Sequence, residues 1–200
     1  MYPSCIWKMP VINKDAYLTF DDGPHPEATP FVLDQLKQHD AKASFFCIGK
    51  NVHEHQALYA QILSEGHTVG NHTQNHLNGW KVSDKQYIDN IVEAEKHIDS
   101  KLFRPPYGRI SRFQIRLLTE PSNAKSIPYS IIMWDVLSGD FDTSLTGEQC
   151  AQNVLKNTES GSIIVFHDSQ KALPRLKKAL PIVLEGLSKK GFLFKSLAEL

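Results

Sequence analysis

The chain has 200 residues, and its 22 basic and 22 acidic side chains give a formal net charge of zero. This balance excludes the basic excess that nucleic-acid-binding and membrane-surface proteins carry. Hydrophobic residues at 41% and charged residues at 22% are close to the globular average, which excludes disordered and fibrous classes. We expect one soluble domain over residues 1–200, with residues 1–15 as an N-terminal extension and no nucleic-acid or membrane partner.

Cysteine usage and the first residues indicate the compartment. Cys5, Cys47 and Cys150 are odd in number and far apart, so they form neither a disulfide framework nor a metal-binding motif. The first residues lack a basic segment followed by an apolar run, and no stretch approaches the ~18 apolar residues of a membrane span. These observations predict buried free thiols and a cytoplasmic protein.

In the first half of the chain, short apolar runs alternate with helical patterns. The predicted elements are a strand at Ala16–Phe20, a helix at Pro30–His39, a strand at Ala43–Cys47, helical residues up to Ser64, a strand at Thr68–Gly70 and a helix after Ser83. Ser83 and Gln86 have the spacing of a capping box. The apolar face of that last helix is expected to carry Ile88, Ile91, Val92 and Ile98.

The same alternation continues in the second half. The predicted elements are strands at Leu102–Arg104 and Ser130–Trp134, a helix from Thr146 to about Asn157, a strand at Ser162–Phe166, a helix at Leu173–Lys190 and a strand at Phe192–Phe194. Strands that alternate with helices indicate βαβ units and a mostly parallel sheet. About seven units fit, whereas an eight-fold barrel takes ~250 residues. The pattern therefore predicts either a barrel that lacks one unit or an open doubly wound sheet.

Polar residues follow several of the predicted strands at the point where each strand ends. In chain order they are Asp21 and Asp22, His72 and His76, Arg104, Asp135 and His167. The carboxyl ends of parallel strands form the rim where such barrels carry their chemistry. The sequence therefore predicts a functional site at this rim.

Two short motifs suggest a metal site. Asp21 and Asp22 precede Gly-Pro and by themselves are typical of a turn, but one carboxylate could bind a metal while the other accepts a proton. His72 and His76 have the i,i+4 spacing that would place both imidazoles on one helical face to share that metal. With Asp22 they form a set of two histidines and one carboxylate, a ligand set that does not distinguish zinc from iron.

Three further residues could complete a site. Arg104 beside Asp21 would favour the ionised carboxylate and fix its orientation. The two prolines after Arg104 would stiffen the turn that presents the backbone N–H of Tyr107. His167 either is a hydrogen-bonded rim histidine or acts as a general acid near neutral pH.

In combination and order, these motifs resemble the polysaccharide deacetylases with a NodB-type homology domain, carbohydrate esterase family 4. The matching segments are Thr19–Pro24, His72–His76, Arg104–Tyr107 and Val165–His167. The resemblance covers the chain from about residue 17 to its end. It implies an α/β fold, a distorted (β/α)7 TIM-like barrel, and one metal ion, usually zinc, with cobalt or nickel as alternatives.

The resemblance also implies roles for individual residues. The metal ligands would be Asp22, His72 and His76. Asp21 would be the general base, oriented by Arg104, and His167 the general acid. The N–H of Tyr107 would contribute to an oxyanion hole.

One motif departs from the family pattern. The family has an Asp three residues after a Trp, and that Asp contacts the catalytic histidine, whereas here Leu137 stands three residues after Trp134. We expect this change to lower the basicity of His167 and loosen its orientation unless Asp135 or Asp140 substitutes. Phe141 also stands where the family often has Trp, which would alter the wall facing the sugar.

The implied function is hydrolysis of N-acetyl groups on the amino sugars of an oligo- or polysaccharide, which releases acetate and a free amine. A non-haem iron oxygenase shares the ligand set but has no use for Asp21, Arg104 or His167. A non-catalytic carbohydrate-binding relative is a second alternative, for which Leu137 is the evidence. A deacetylase of O-acetyl esters or small imide-like substrates is the third.

Overall fold

The computed structural model describes residues 2–120 and 128–197. Its strands are β1 (Asp15–Asp21), β2 (Ser44–Cys47), β3 (Thr68–Asn71), β4 (Leu102–Phe103), β5 (Ser130–Ile131), β6 (Val136–Leu137), β7 (Ile163–His167) and β8 (Leu193–Phe194). Its helices are α1 (Ala28–Gln38), α2 (Gly49–Glu54), α3 (Gln56–Ser64), α4 (Asp84–Ala94), α5 (Arg112–Thr119), α6 (Gly147–Asn157) and α7 (Leu173–Lys189). None of these helices is both long and apolar enough to cross a lipid bilayer.

The strands form a curled parallel sheet in the order β5-β4-β3-β2-β1-β7-β6, and β8 pairs with the beginning of β1. The expected α/β fold of the (β/α)7 type is thereby confirmed. The N-terminal extension belongs to this sheet, because Ile6 bridges to Ile132 and Lys8 bridges to Ser162. Residues 6–8 thus connect the chain after β5 with the chain before β7.

The core lies on both faces of β1 and β7. Leu18 and Phe20 of β1 and Phe166 of β7 are completely buried, and the ring of Phe20 stacks on Phe166 with centroids 6.1 Å apart. On the outer face α6 packs closely on α7, and a Cβ atom at Gly186 would come within 2.8 Å of the Leu155 side chain. Burial on two faces explains the continuous apolar run of β7, and it makes these strands a rigid base for the residues at their ends.

The helix after Ser83 begins as predicted but exposes one residue of its predicted face. The Ser83 hydroxyl accepts from the N–H of Gln86, and the Gln86 side chain accepts from the N–H of Ser83, so the capping box is confirmed. Tyr87 and Ile91 are buried, whereas Val92 is 51% exposed. The prediction for Val92 is wrong because consecutive helical residues point about 100° apart.

Two elements were not predicted, and both lie around the short β5 segment. The predicted strand Ser130–Trp134 ends at Ile131, and a separate two-residue strand, β6, follows. Helix α5 has its own capping box, between Ser111 and Gln114. The two-residue β6 carries too few residues for a recognisable hydrophobic period, whereas the capping box of α5 is a signal that the sequence does contain.

Candidate active site

Of the residues predicted to form a site, all but Asp135 meet at one edge of the sheet, whereas Asp135 binds Ser162 and Ile163 at the opposite end of β7. Asp21 is the last residue of β1, and its register partner on β7 is His167. On the other side Asp21 pairs with Phe46 of β2. Because neighbouring strands are about 4.8 Å apart, this register places Asp21 and His167 side by side.

Asp22, His72 and His76 form a cluster at this edge. One ligand atom from each residue lies within 4.8 Å of the others. Nε2 of His76 is 3.2 Å and Nε2 of His72 is 3.7 Å from Oδ1 of Asp22. In the part of the chain that the structure describes, this is the one cluster of three or more such ligand residues.

The protonation of His72 shows that this cluster suits a cation. Nδ1 of His72 lies 2.7 Å from the carbonyl oxygen of Arg104, which can only accept, so Nδ1 carries the proton. Burial lowers the pKa of His72 to about 4, so the ring is neutral near pH 7 and Nε2 presents a lone pair. Oδ1 of Asp22 is buried and has no hydrogen bond of good geometry. A lone pair that faces a carboxylate oxygen is repulsive unless a metal ion lies between them.

The carboxyl group of Asp22 is ionised in this setting. Burial by itself would raise its pKa, but the contact with His76 and the charge of His167 lower the pKa below its usual value. An ionised carboxylate beside two imidazoles is a donor set that suits zinc and similar divalent transition metals. The residues therefore fit the implied metal.

The two histidines do not lie on a helix, and this expectation was wrong. Residues 72–78 form a loop after β3, in which the N–H of Thr73 donates to Asn71 and the N–H of Leu77 donates to the Thr73 hydroxyl. The two imidazole rings are nevertheless only 5.1 Å apart. Side-chain hydrogen bonds within the loop compete with helix formation. The folded loop, and not a helical face, therefore brings the two rings together.

Backbone strain is concentrated in this site. Among the described residues, five residues other than glycine have a positive φ, and four of them belong to the site. These four are Asp22 (φ 83°), Thr73 (φ 67°), His76 (φ 56°) and Tyr107 (φ 61°). A left-handed conformation costs roughly 1–2 kcal/mol per residue and persists only where the surroundings enforce it, which indicates a functional arrangement.

Arg104 holds Asp21 in place. The guanidinium is completely buried, and its Nη1 donates to Oδ1 of Asp21 at 2.7 Å and to the Thr19 hydroxyl at 2.6 Å. Its remaining donors bind the carbonyl oxygens of Ile132 and Met133. With every donating nitrogen engaged, the guanidinium fixes the Asp21 carboxylate without extra flexibility.

Asp140 supplies the carboxylate at His167. Nδ1 of His167 lies 2.7 Å from Oδ1 of Asp140, and the His167 backbone N–H donates to Oδ2 at 2.8 Å. Burial alone would lower the pKa of His167, but the charge and hydrogen bond of Asp140, helped by Asp21 and Asp22, raise it to about 9. His167 is therefore cationic near neutral pH.

Asp140 is therefore the substitute that the expectation about Leu137 left open. Leu137 pairs with Val165, two residues before His167, and its side chain is 38% exposed. Asp135 instead accepts hydrogen bonds from Ser162 and Ile163 at the opposite end of β7. Of the two substitutes considered, Asp140 is the residue that contacts the histidine.

Two aromatic residues border the site. The ring of Tyr107 lies against His76 with centroids 4.6 Å apart, and the ring of Phe141 lies edge-on to His167 at 5.4 Å. The backbone N–H of Tyr107 donates no hydrogen bond within the described residues. It is therefore free to bind an oxygen of a ligand.

Sequence reasoning missed Asp168, which follows His167. Its carboxyl group is completely buried, accepts from the N–H of Gly23 at 3.0 Å and contacts the Thr29 hydroxyl at 2.5 Å. A side chain on Gly23 would overlap this carboxyl group, which explains the glycine. Asp168 thus fixes the turn that carries Asp22. A single acidic residue after His167 gives no sequence signal for such a contact.

A cavity of about 320 Å³ adjoins the cluster. It is lined by Asp22, His25, Ile48, Asn51, His76, Ser169, Gln170 and Lys171. Most of these side chains are polar, so the cavity suits a hydroxyl-rich ligand.

Known proteins are similar to this chain in both sequence and fold. Residues 8–120 match the family model of the polysaccharide deacetylases. A peptidoglycan-N-acetylglucosamine deacetylase of Bacillus cereus is 36% identical over 97% of the chain and 91% of its own length. A second deacetylase of that name from the same organism is 35% identical over 86% of this chain, and the match covers only 64% of that relative's length.

Solved structures show the same likeness. The Bc1960 peptidoglycan N-acetylglucosamine deacetylase, in complex with 4-naphthalen-1-yl-N-oxidanyl-benzamide, has a TM-score of 0.89 and 33% identity, with 97% of this chain and 91% of that chain covered. A mutant of BA3943, described as a pseudoenzyme of family CE4 with restored enzymatic activity, has a TM-score of 0.84 and 25% identity, with 100% of this chain and 72% of that chain covered. Since the fold includes a pseudoenzyme, the site residues have to decide whether catalysis is possible.

Proposed function

Because this chain belongs to the polysaccharide deacetylase family, we propose that it is a metal-dependent hydrolase of N-acetyl groups on N-acetylglucosamine units in an oligo- or polysaccharide. The names of its relatives, which are deacetylases of peptidoglycan N-acetylglucosamine, support this choice of substrate. The products are acetate and the free amine of the sugar.

Asp22, His72 and His76 would hold the metal ion, and the hydrogen bond from His72 to the carbonyl of Arg104 would orient one ligand. When bound there, a divalent ion such as zinc supplies Lewis-acid chemistry, which polarises an acetyl carbonyl and makes a water molecule more acidic. Two histidines and one carboxylate leave coordination positions open for these groups.

Asp21 acts as the general base. Arg104 holds one of its oxygens, which leaves the second free to accept a proton from water. A bond then forms between the water oxygen and the acetyl carbon. The ring of Tyr107 packs against His76, and its free backbone N–H stabilises the oxygen that becomes negative, a contribution of roughly 3–4 kcal/mol for one good donor.

His167 acts as the general acid. Because Asp140 keeps it protonated on both nitrogens, its second ring nitrogen donates a proton to the sugar nitrogen as the C–N bond breaks. Without this proton the leaving group would be an amide anion.

The observation that carries the proposal is the pairing of Asp21 with His167 across β1 and β7, each held by its own buried partner. One partner is a cation, Arg104, and the other is an anion, Asp140. A cation beside Asp21 favours its ionised form, which accepts a proton, and an anion beside His167 favours its protonated form, which donates one. Acid–base catalysis requires one group of each kind. A binding protein has no need of this arrangement.

The test is acetate release from N-acetylglucosamine oligomers and from peptidoglycan, measured by mass spectrometry with the zinc-loaded protein. We expect release by the parent protein and at least a 100-fold loss in both Asp21→Asn and His167→Ala. Both variants should still bind zinc, whereas Asp22→Ala should not.

Two results would contradict the proposal. The first is equal acetate release by the parent and the His167→Ala protein. The second is zinc binding by the parent with no release from either substrate. An ester of acetate serves as a further substrate, and release from the ester alone would indicate an O-deacetylase.

A further inference from the structure

The loop that carries His72 and His76 is held by a buried amide at the end of β3. Asn71 is completely buried, and its Oδ1 accepts from the N–H of Thr73 at 2.8 Å. Its Nδ2 donates to the carbonyl oxygen of Ile91 at 3.1 Å. Thr73 has a φ of 67°, a left-handed conformation that persists only where the surroundings enforce it. The Asn71 side chain therefore fixes the backbone between the two proposed ligands.

The phenol of Tyr129 binds the second N–H of this amide. Its oxygen accepts from Nδ2 of Asn71 at 3.2 Å, and its O–H donates to Oε1 of Glu95 at 2.7 Å. The direction of these bonds is fixed, because the Thr73 N–H can only donate and the Ile91 carbonyl can only accept. The NH2 group of Asn71 must therefore face Tyr129, and the Tyr129 proton must point to Glu95.

These contacts form one chain of hydrogen bonds from the end of α4 to the loop of the proposed ligands. Glu95 follows the last turn of α4 and is exposed, whereas Tyr129 is buried. Burial and the bond to Glu95 both raise the pKa of Tyr129, so the phenol keeps the proton that it donates. A phenol that donates to a carboxylate becomes a stronger acceptor, and bonds in such a chain strengthen one another. Glu95 therefore supports the contact between Asn71 and Thr73 from outside the metal cluster.

A packing role does not explain the Tyr129 hydroxyl. The Tyr129 ring packs edge-on against Phe103 with centroids 5.8 Å apart, and the ring of Tyr87 packs against the same Phe103 at 6.3 Å. The Tyr87 hydroxyl is buried and has no hydrogen-bond partner among the residues that the structure describes. Two tyrosines thus fill one core cluster, but of the two hydroxyl groups it is that of Tyr129 that reaches the loop through Asn71.

We propose that Tyr129 and Glu95 are positioning residues for the loop that carries His72 and His76, and that they set the zinc affinity of this site. The inference rests on the proposed function, since it takes the two histidines as metal ligands. Without the Tyr129 hydroxyl, one N–H of the buried Asn71 amide lacks an acceptor, which is unfavourable. The amide then loses its single orientation, and the turn between the two ligands loosens.

The test measures the zinc dissociation constant by competition with a chelator. We expect it to rise about tenfold in Tyr129→Phe, the lower end of the range for outer-shell partners of metal ligands. Tyr87→Phe is the matched control, because it removes a hydroxyl from the same cluster, and it should stay within about twofold of the parent. Glu95→Ala should weaken zinc binding as Tyr129→Phe does, whereas Glu95→Gln keeps an acceptor and should recover most of the affinity. Equal dissociation constants for Tyr129→Phe and Tyr87→Phe would overturn the proposal.

Hydrogen exchange at the Thr73 amide separates this inference from the proposed function. Without added metal, this amide should exchange at least about tenfold faster in Tyr129→Phe than in Tyr87→Phe, since local opening governs exchange. Equal rates would refute the positioning role, as would a loss of stability in urea with unchanged zinc affinity. If affinity and exchange change as expected while the parent releases no acetate, only the deacetylase function is refuted.

Discussion

The pair formed by Asp140 and His167 makes a quantitative prediction about pH. Asp140→Asn keeps the shape of the side chain but removes the charge. In the parent protein, Asp140 outweighs burial and raises the pKa of His167 to about 9. Without the carboxylate we expect this pKa to return to its ordinary value of ~6.5 or lower.

The expected loss of activity therefore depends on pH. With these pKa values, about 90% of parent molecules but only about 3% of Asp140→Asn molecules carry protonated His167 at pH 8. If His167 is the general acid, kcat/KM falls about 30-fold at pH 8 and less than about twofold at pH 6. A metal ion bound by Asp22 would lower the pKa of His167 in the parent and in Asp140→Asn alike. The difference between the two pH profiles therefore tests the role of Asp140.

The assay is acetate release from an N-acetylglucosamine oligomer at saturating zinc between pH 5.5 and 9.5. Asp135→Asn is the matched control, because this carboxylate lies on the same segment but binds Ser162 and Ile163 at the far end of β7. Its pH profile should follow that of the parent. An Asp140→Asn profile with the parental alkaline limb, or with an equal loss at every pH, would refute the role assigned to Asp140.

The same pair links stability to pH. Since the pKa of His167 is raised by folding, its contribution to stability is complete below about pH 6.5 and is lost as the pH rises through about 9. Thermal unfolding should therefore show the parent more stable than Asp140→Asn at pH 6, with the difference declining toward pH 9. A difference that grows with pH would contradict this sign.

Three further substitutions test the surrounding structure. Gly23→Ala would push a methyl group into the Asp168 carboxyl group, so zinc affinity measured by calorimetry should fall at least tenfold; unchanged affinity would contradict this view of the turn. Arg104→Met leaves Asp21 buried without its partner and should lower the free energy of unfolding, measured in urea, by about 3–5 kcal/mol. Leu137→Asp restores the family residue, but since Asp140 already contacts the histidine we expect kcat/KM to change less than threefold; a large gain would show that Leu137 limits the parent.

The fold was predictable where the sequence pattern is long or fully apolar. The run from Ala16 to Phe20 and the run from Ser162 to Phe166 identify β1 and β7, because burial on both faces demands continuous apolar residues. The capping box predicts the beginning of α4 because it depends only on hydrogen bonds between Ser83 and Gln86, three residues apart. Two-residue strands such as β6 have no comparable signal.

The positions of the site residues were also predictable, because parallel strands bring their carboxyl ends to one edge. This rule places Asp21 and His167 at the same edge, and the motifs predict which side chains would bind a metal, whereas the direct pairing of β1 with β7 comes from the structure. The roles of these residues as base, acid and ligands remain predictions that the proposed measurements test.

The amino-acid sequence identifies most of the side chains that gather at the rim, since the alternation of strands and helices follows from the hydrophobic pattern and parallel strands bring their carboxyl ends to one edge. Only the tertiary structure decided how they are held. It selects Asp140 over Asp135 for His167, places Asp168 against Gly23, and ties the Trp80 indole to the carbonyl of Ile110. These contacts join residues far apart in the chain through turns with left-handed backbone, and no local pattern encodes the direction in which such a turn points its side chain.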